Sequence, residues 1–223
     1  MAKTTLDYIE ITPGQAPIGS IIWLHGLGAD GRDFANIVPE LNLAKELAVR
    51  YIFPHAPIIP VTINAGYLMR AWYDITGIDL QSREDVEGIQ RSQEAIHELI
   101  EYEKQQGVPT DRIILAGFSQ GGAVALHTAL RYPEKLAGVL ALSTYLPLRH
   151  SLATEASVAN KNVPVFMAHG EQDNIVPLAY AQMAQQFLEQ NAHQVEFHTY
   201  PMAHGVCTEE IVDIALWMRK VLA

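Results

Sequence analysis

The run Gly117-Phe118-Ser119-Gln120-Gly121, followed by Gly122, has the residue types and spacing of a nucleophile turn. An apolar run, 112–118, leads into it, and a helical pattern, 120–132, leads out. A sharp strand-to-helix turn forces the serine into a strained backbone conformation. Its neighbours two positions away must then lack side chains, because strand and helix pack closely there. The geometry lifts the Ser119 hydroxyl clear of the sheet and aims the first helical N–H groups at charge developing on a substrate. A serine hydroxyl is a poor nucleophile alone. It needs a base within hydrogen-bond reach and a group that orients the base.

At such a turn the partners follow in the chain order Ser, Asp or Glu, then His. They belong in loops at the carboxyl edge of the sheet. Asp173 sits in the loop after the apolar run 163–170, in the pattern H-G-x-x-D-x-x-V-P. Glu171 competes with it, and Asp173 is favoured. His204 lies between the last apolar run, 195–201, and the last helical segment. Of the nine histidines it alone satisfies order and position. His127 falls inside the helix after the nucleophile, and His97 on a surface helix. His198 is within a strand, His193 precedes it, and His169 comes before Asp173. No His pair has the helical spacing of a zinc site, so no metal is expected. The loop His25-Gly26-Leu27-Gly28 follows an early apolar run. It is expected to give the Leu27 backbone N–H to an oxyanion hole, with the Gln120 N–H as the second donor. His25 reads as structural, holding that loop.

These loops need a frame that sets them side by side. Apolar runs at 20–25, 48–54, 112–118, 137–143 and 163–170 are continuous, as in strands buried on both faces. The segment 6–11 alternates like an edge strand, and 195–201 closes the set. Helical periodicity fills 84–106, 120–132, 178–190 and 207–222. The first of these places Ile89, Ile96, Leu99 and Ile100 on one stripe. The last turns Ile211, Ile214, Ala215, Met218 and Leu222 inward. This alternation predicts an α/β fold with a mainly parallel central sheet flanked by helices. Residues 54–83 and 144–163 read as irregular. With no repeat or linker, residues 1–223 read as one domain.

Composition limits the function classes. Of 223 residues, 49% are hydrophobic and 18% charged, so a packed core is expected and global disorder is not. The net charge of −10 disfavours nucleic acid as a partner. The segment MAKTTLDYIEITPGQ has no apolar signal region, and no run is long enough to span a membrane. A reducing, cytoplasmic setting is therefore expected. The single cysteine, Cys207, can form neither an internal disulfide framework nor a multi-thiolate zinc site. It reads as a packing residue.

Nearly the whole chain resembles the phospholipase/carboxylesterase family, the small carboxylesterase and acyl-protein thioesterase group of α/β-hydrolases. The matching pieces are W-L-H-G-L-G-A-D at 23–30, R-A-W-Y-D at 70–74 and R-I-I-L-A-G-F-S-Q-G-G-A at 112–123. L-A-L-S-T-Y-L-P at 140–147, H-G-x-x-D at 169–173 and Met-Ala-His-Gly at 202–205 continue the pattern. The resemblance implies an α/β-hydrolase fold without a large cap domain. It implies Ser119, Asp173 and His204 as the triad, the Leu27 and Gln120 amides as the hole, and no cofactor. It implies cleavage of carboxylic esters, with acyl thioesters or lysophospholipids as further substrates. Small members often pair, so a homodimer is one expectation it carries.

Without a cap, acyl binding falls to loops. The apolar, glycine-containing segment 58–72 is expected to line a groove and act as a mobile flap. Met69 and Trp72 are its candidates, joined by Leu27, Leu146 and Val176 from neighbouring loops. Two rivals remain from the sequence. One is a peptidase on the same triad, for which no peptide-gripping loops are visible. The other is a non-catalytic acyl- or small-molecule-binding protein with a hydrolase fold, against which the complete triad argues.

Overall fold

The computed structural model describes residues 6–14, 16–43, 47–77 and 84–223. The start of the N-terminal segment, 1–5, and part of the irregular stretch, 78–83, lie outside the described residues. Seven strands form one sheet in the order β1 (Tyr8–Ile11), β3 (Val49–Pro54), β2 (Gly19–Leu24), β6 (Ile113–Phe118), β7 (Gly138–Leu142), β8 (Val165–Gly170) and β9 (Val195–Tyr200). Only β1 runs antiparallel, at the edge, with Tyr8 opposite Pro54. All the other neighbours are parallel. This is the mainly parallel α/β sheet expected from the alternation of apolar and helical segments.

Successive strand residues point to opposite faces, and the core divides accordingly. Ile22, Leu24, Leu115 and Val139 face α2 (Val86–Gln105), α3 (Gln120–Arg131) and α5 (Leu178–Gln190). Ile21, Trp23, Ile114 and Leu140 face α1 (Ile37–Leu41) and α6 (Thr208–Leu222). Both faces are covered, which is why the strand sequences are continuously apolar rather than alternating. The stripe of Ile89, Ile96, Leu99 and Ile100 on α2 is buried against the first face. On α6, Ile214, Ala215, Met218 and Leu222 are buried with Trp217, while Ile211 is half-buried.

Two segments differ from the expectation of irregularity. Residues 58–70 form a separate antiparallel hairpin, β4 (Ile58–Val61) and β5 (Tyr67–Arg70), with Ile58 opposite Arg70 and Val61 opposite Tyr67. A short 3-10 turn, Thr62–Asn64, then Ala65 at φ 55° and Gly66 at φ 76°, reverses the chain. The segment 144–163 contains α4 (Arg149–Glu155), anchored by buried Leu152. Among the described residues, no helix is long and apolar enough to cross a membrane.

Because β2, β6, β8 and β9 run parallel, their carboxyl ends emerge along one edge. There they deliver the loops that carry residues 25–30, 119–120, 171–177 and 201–207.

Candidate active site

Ser119 is the hinge between β6 and α3. Its backbone sits at φ 54° and ψ −122°, outside the regions that L-residues favour. The surroundings hold it there. Its N–H donates to the Leu142 carbonyl at 2.8 Å, and its own carbonyl accepts from the Thr144 hydroxyl at 2.6 Å. The flanking glycines are required by contact. A Cβ at Gly117 would lie 2.3 Å from the Gly121 carbonyl oxygen, and one at Gly121 would lie 2.4 Å from that of Leu24. Gln120 begins α3, so its N–H is one of the helix-terminal donors without an intrahelical acceptor.

Asp173 and His204 meet across the ends of β8 and β9. His204 Nδ1 donates to Asp173 Oδ2 at 2.6 Å. The Asp173 side chain is fully buried, and its Oδ1 accepts from the Ile175 and Val176 amides, each at 2.9 Å. Three N–H donors thus orient a carboxylate that has no water contact. The His204 ring remains 16% exposed and packs 4.7 Å from the Phe118 ring, centroid to centroid. Glu171, the competing acid, is exposed and accepts instead from the Thr199 hydroxyl at 3.0 Å.

Three of the other histidines, His25, His127 and His97, are occupied elsewhere. His25 Nδ1 donates to the Gly26 carbonyl at 2.7 Å, and its Nε2 accepts from the Ala56 amide at 3.0 Å. Burial lowers its pKa to about 4, so it stays neutral and ties the loop to the chain after β3. His127 meets Gln93 at 3.0 Å within the helical layer, and burial lowers its pKa to about 3. His97, half-buried, packs edge-on against Tyr132.

Ser119 and His204 open onto one cavity of about 610 Å³, which Gly26, Leu27 and Gln120 also line. Leu146 and Val176 form part of its wall. Met69 and Trp72 do not, and here the sequence expectation is corrected. Trp72 is 2% exposed and turns inward, where its Nε1 donates to the His25 carbonyl at 2.8 Å. Met69 Sδ accepts from Asn64 Nδ2 at 3.2 Å within the hairpin. The hairpin instead presents Ile63 and Asn64 to the cavity. Sequence reasoning also missed Ile75, Met183 and the Tyr73–Tyr145 pair, whose hydroxyls meet at 2.6 Å in the wall. Helical or strand periodicity could have flagged only Met183, since the others lie in connecting segments. Among the described residues, no cluster of three or more His, Cys, Asp or Glu side chains is arranged to hold a metal ion.

The sequence profile of the phospholipase/carboxylesterase family matches residues 7–222. Acyl-protein thioesterase 1 of Mycosarcoma maydis is 41% identical over 236 aligned positions, spanning 98% of each chain. Acyl-protein thioesterase 1 of Neurospora crassa is 42% identical, over 91% of this chain and 86% of its own. Among solved structures, Arabidopsis thaliana SOBER1 superposes with a TM-score of 0.87 at 30% identity, over 92% of this chain and 99% of its own. Zea mays acyl-protein thioesterase 2 gives 0.86 at 26% identity, over 97% and 99%. The strained serine turn, the cavity beneath the sheet's carboxyl edge and these likenesses agree: the chain belongs to the phospholipase/carboxylesterase family of α/β-hydrolases and is a serine hydrolase of the esterase and thioesterase type.

Proposed function

We propose that this protein hydrolyses carboxylic esters and acyl thioesters through a Ser119–His204–Asp173 triad and a covalent acyl-enzyme. The carrying observation is the 2.6 Å contact of Asp173 Oδ2 with His204 Nδ1, beside a cavity that Ser119 and His204 share. Because Nδ1 donates to the carboxylate, Nε2 is the free face of the imidazole. It takes the Ser119 proton as Oγ attacks the acyl carbonyl carbon. Asp173 fixes that tautomer and stabilises the imidazolium. The oxyanion is held by the Leu27 and Gln120 amides, each such donor being worth roughly 10²–10³ in rate. His204 then protonates the leaving alcohol or thiol, and water repeats the sequence on the acyl-enzyme.

The cavity wall is largely apolar, with Leu27, Ile75, Phe118, Leu146, Val176 and Met183. Such a wall suits an aliphatic acyl chain, and the relatives named acyl-protein thioesterases favour a thioester among the substrates. The net charge of −10 favours substrate captured as a monomer over docking to an anionic bilayer. The cytoplasm is the proposed compartment, which the single cysteine suits.

The test is covalent labelling by a fluorophosphonate together with turnover of a p-nitrophenyl ester and an acylated-peptide thioester. Ser119→Ala is expected to abolish labelling and to lower both turnovers by several orders of magnitude. Wild-type ester turnover in that variant would refute the assignment.

A further inference from the structure

The two proposed oxyanion donors come from different elements. Leu27 lies on the loop after β2, and Gln120 is the first residue of α3. A hole works only if both amides already stand at the right separation before the reaction, since reorganisation would consume the gain. We infer that Arg70–Tyr73 is a strut that sets this separation, with Trp72 and the Gln120 side chain as positioning residues. The inference rests on the hole proposed above.

Four hydrogen bonds join this tetrapeptide to both halves. On the β2 side, the Gly28 N–H donates to the Arg70 carbonyl at 2.8 Å, and Trp72 Nε1 donates to the His25 carbonyl at 2.8 Å. Leu27 lies between these two anchored residues. On the α3 side, the Trp72 N–H donates to Gln120 Oε1 at 2.9 Å, and Gln120 Nε2 donates to the Tyr73 carbonyl at 2.7 Å. The amide side chain of Gln120 therefore grips the strut with both its acceptor and its donor. The residue whose backbone N–H is the second donor is the one clamped.

The strut is itself held rigid. Its Ala71 N–H donates to the Pro57 carbonyl at 3.0 Å, and the Ser92 hydroxyl of α2 donates to the Trp72 carbonyl. Trp72 and Gln120 are each 2% exposed, and the Trp72 ring packs 5.3 Å from that of His25. In so dry a setting each bond is expensive to leave unmade. Trp72 does not line the cavity. Its hydrogen bonds therefore reach the reaction only through the backbone they place.

The experiment compares Trp72→Phe, which removes Nε1–H and keeps an aromatic ring, with Gln120→Met, which removes both side-chain bonds at similar length. Each is assayed for kcat and KM on an ester and for inhibition by a trifluoromethyl ketone, whose serine adduct places an oxyanion in the hole. The expected result is a fall in kcat of roughly 10-fold for Trp72→Phe and roughly 100-fold for Gln120→Met, with KM within about 3-fold. Ketone affinity should fall in parallel with kcat/KM, because both report the tetrahedral state. Folded variants with wild-type kcat and ketone affinity would overturn the strut, as would a change confined to KM. If Gln120→Met does not fold, Trp72→Phe decides alone. Ser119→Ala serves as the control. Loss of turnover there with unimpaired strut variants refutes the strut only. Retained turnover in Ser119→Ala refutes the underlying site.

Discussion

His169 Nε2 lies 3.3 Å from Asp173 Oδ2 and 2.8 Å from the Val176 carbonyl oxygen. A carbonyl only accepts, so Nε2 carries the proton and donates it to the Val176 oxygen. Nδ1 is buried without a hydrogen-bond partner, and burial lowers the pKa of the ring, which keeps it neutral. His169 thus locks the 173–176 turn through Val176 and sets its Nε2 beside the Asp173 carboxylate. His169→Leu should lower kcat/KM by about 10–100-fold, from the ~1–3 kcal/mol cost of an under-satisfied buried acceptor. His169→Gln, which can restore an N–H near Nε2, should recover part of that loss. Steady-state kinetics on one ester checks this, and equal kinetics for both variants would argue for packing alone.

The glycines near the site separate into required and dispensable positions. A Cβ at Gly121 would meet the Leu24 and His25 carbonyl oxygens at 2.4 and 2.5 Å, both backbone atoms that cannot swing aside. Gly121→Ala should therefore push the oxyanion loop off α3, lowering turnover at least ~100-fold and stability by about 1–3 kcal/mol. Gly205 is adjacent to His204 in sequence, yet nothing lies within 4 Å of its virtual Cβ and its φ is not in the left-handed region. Gly205→Ala should keep turnover within ~2-fold. The pair, measured for turnover and thermal midpoint, separates steric need from mere proximity to the base.

The strands were legible because a parallel sheet covered on both faces demands continuous apolar runs, and Ile21–Leu24 or Ile113–Ala116 have no other economical home. The serine turn was legible because its glycines answer to contacts below 3 Å. The hairpin at 58–70 was not. Its strands have four residues each, one holds Pro60, and they pair only with each other. For the same reason Trp72 was assigned to the wrong side. An apolar residue outside a periodic element carries no signal of which way it points, and Trp72 points at His25. The contact of His169 with Asp173 escaped because chain order excludes His169 as the base but says nothing about a supporting role.

Leu146 tests whether the cavity wall reads acyl length. It is 6% exposed and, like Val176, lines the cavity onto which Ser119 and His204 open. Leu146→Trp should fill space that a long chain would use. Excluding about three methylenes at ~0.8 kcal/mol each costs ~2.4 kcal/mol, or roughly 50-fold in kcat/KM for a long-chain ester. The acetate ester needs none of that space and should be turned over within ~3-fold of wild type, which also verifies folding. A uniform fall across a chain-length series would show that this wall does not hold the acyl group.

Glu210 makes stability depend on pH in a direction opposite to that of a paired carboxylate. It lies in the first turn of α6 with no exposed surface, and neither carboxyl oxygen has a hydrogen-bond partner. Burial, reinforced by nearby Asp213, raises its pKa from 4.5 to about 8. Between those values the folded chain holds a proton that the unfolded chain has released. The contribution of Glu210 to stability is therefore complete below about pH 4.5 and is lost progressively as pH rises toward 8. Glu210→Gln keeps the shape and removes the ionisation. The variant should melt higher than wild type at pH 8.5, and the difference should shrink toward pH 5. Thermal unfolding of both proteins at several pH values measures it. An offset that is the same at every pH would mean that Glu210 acts through packing, not through its buried charge.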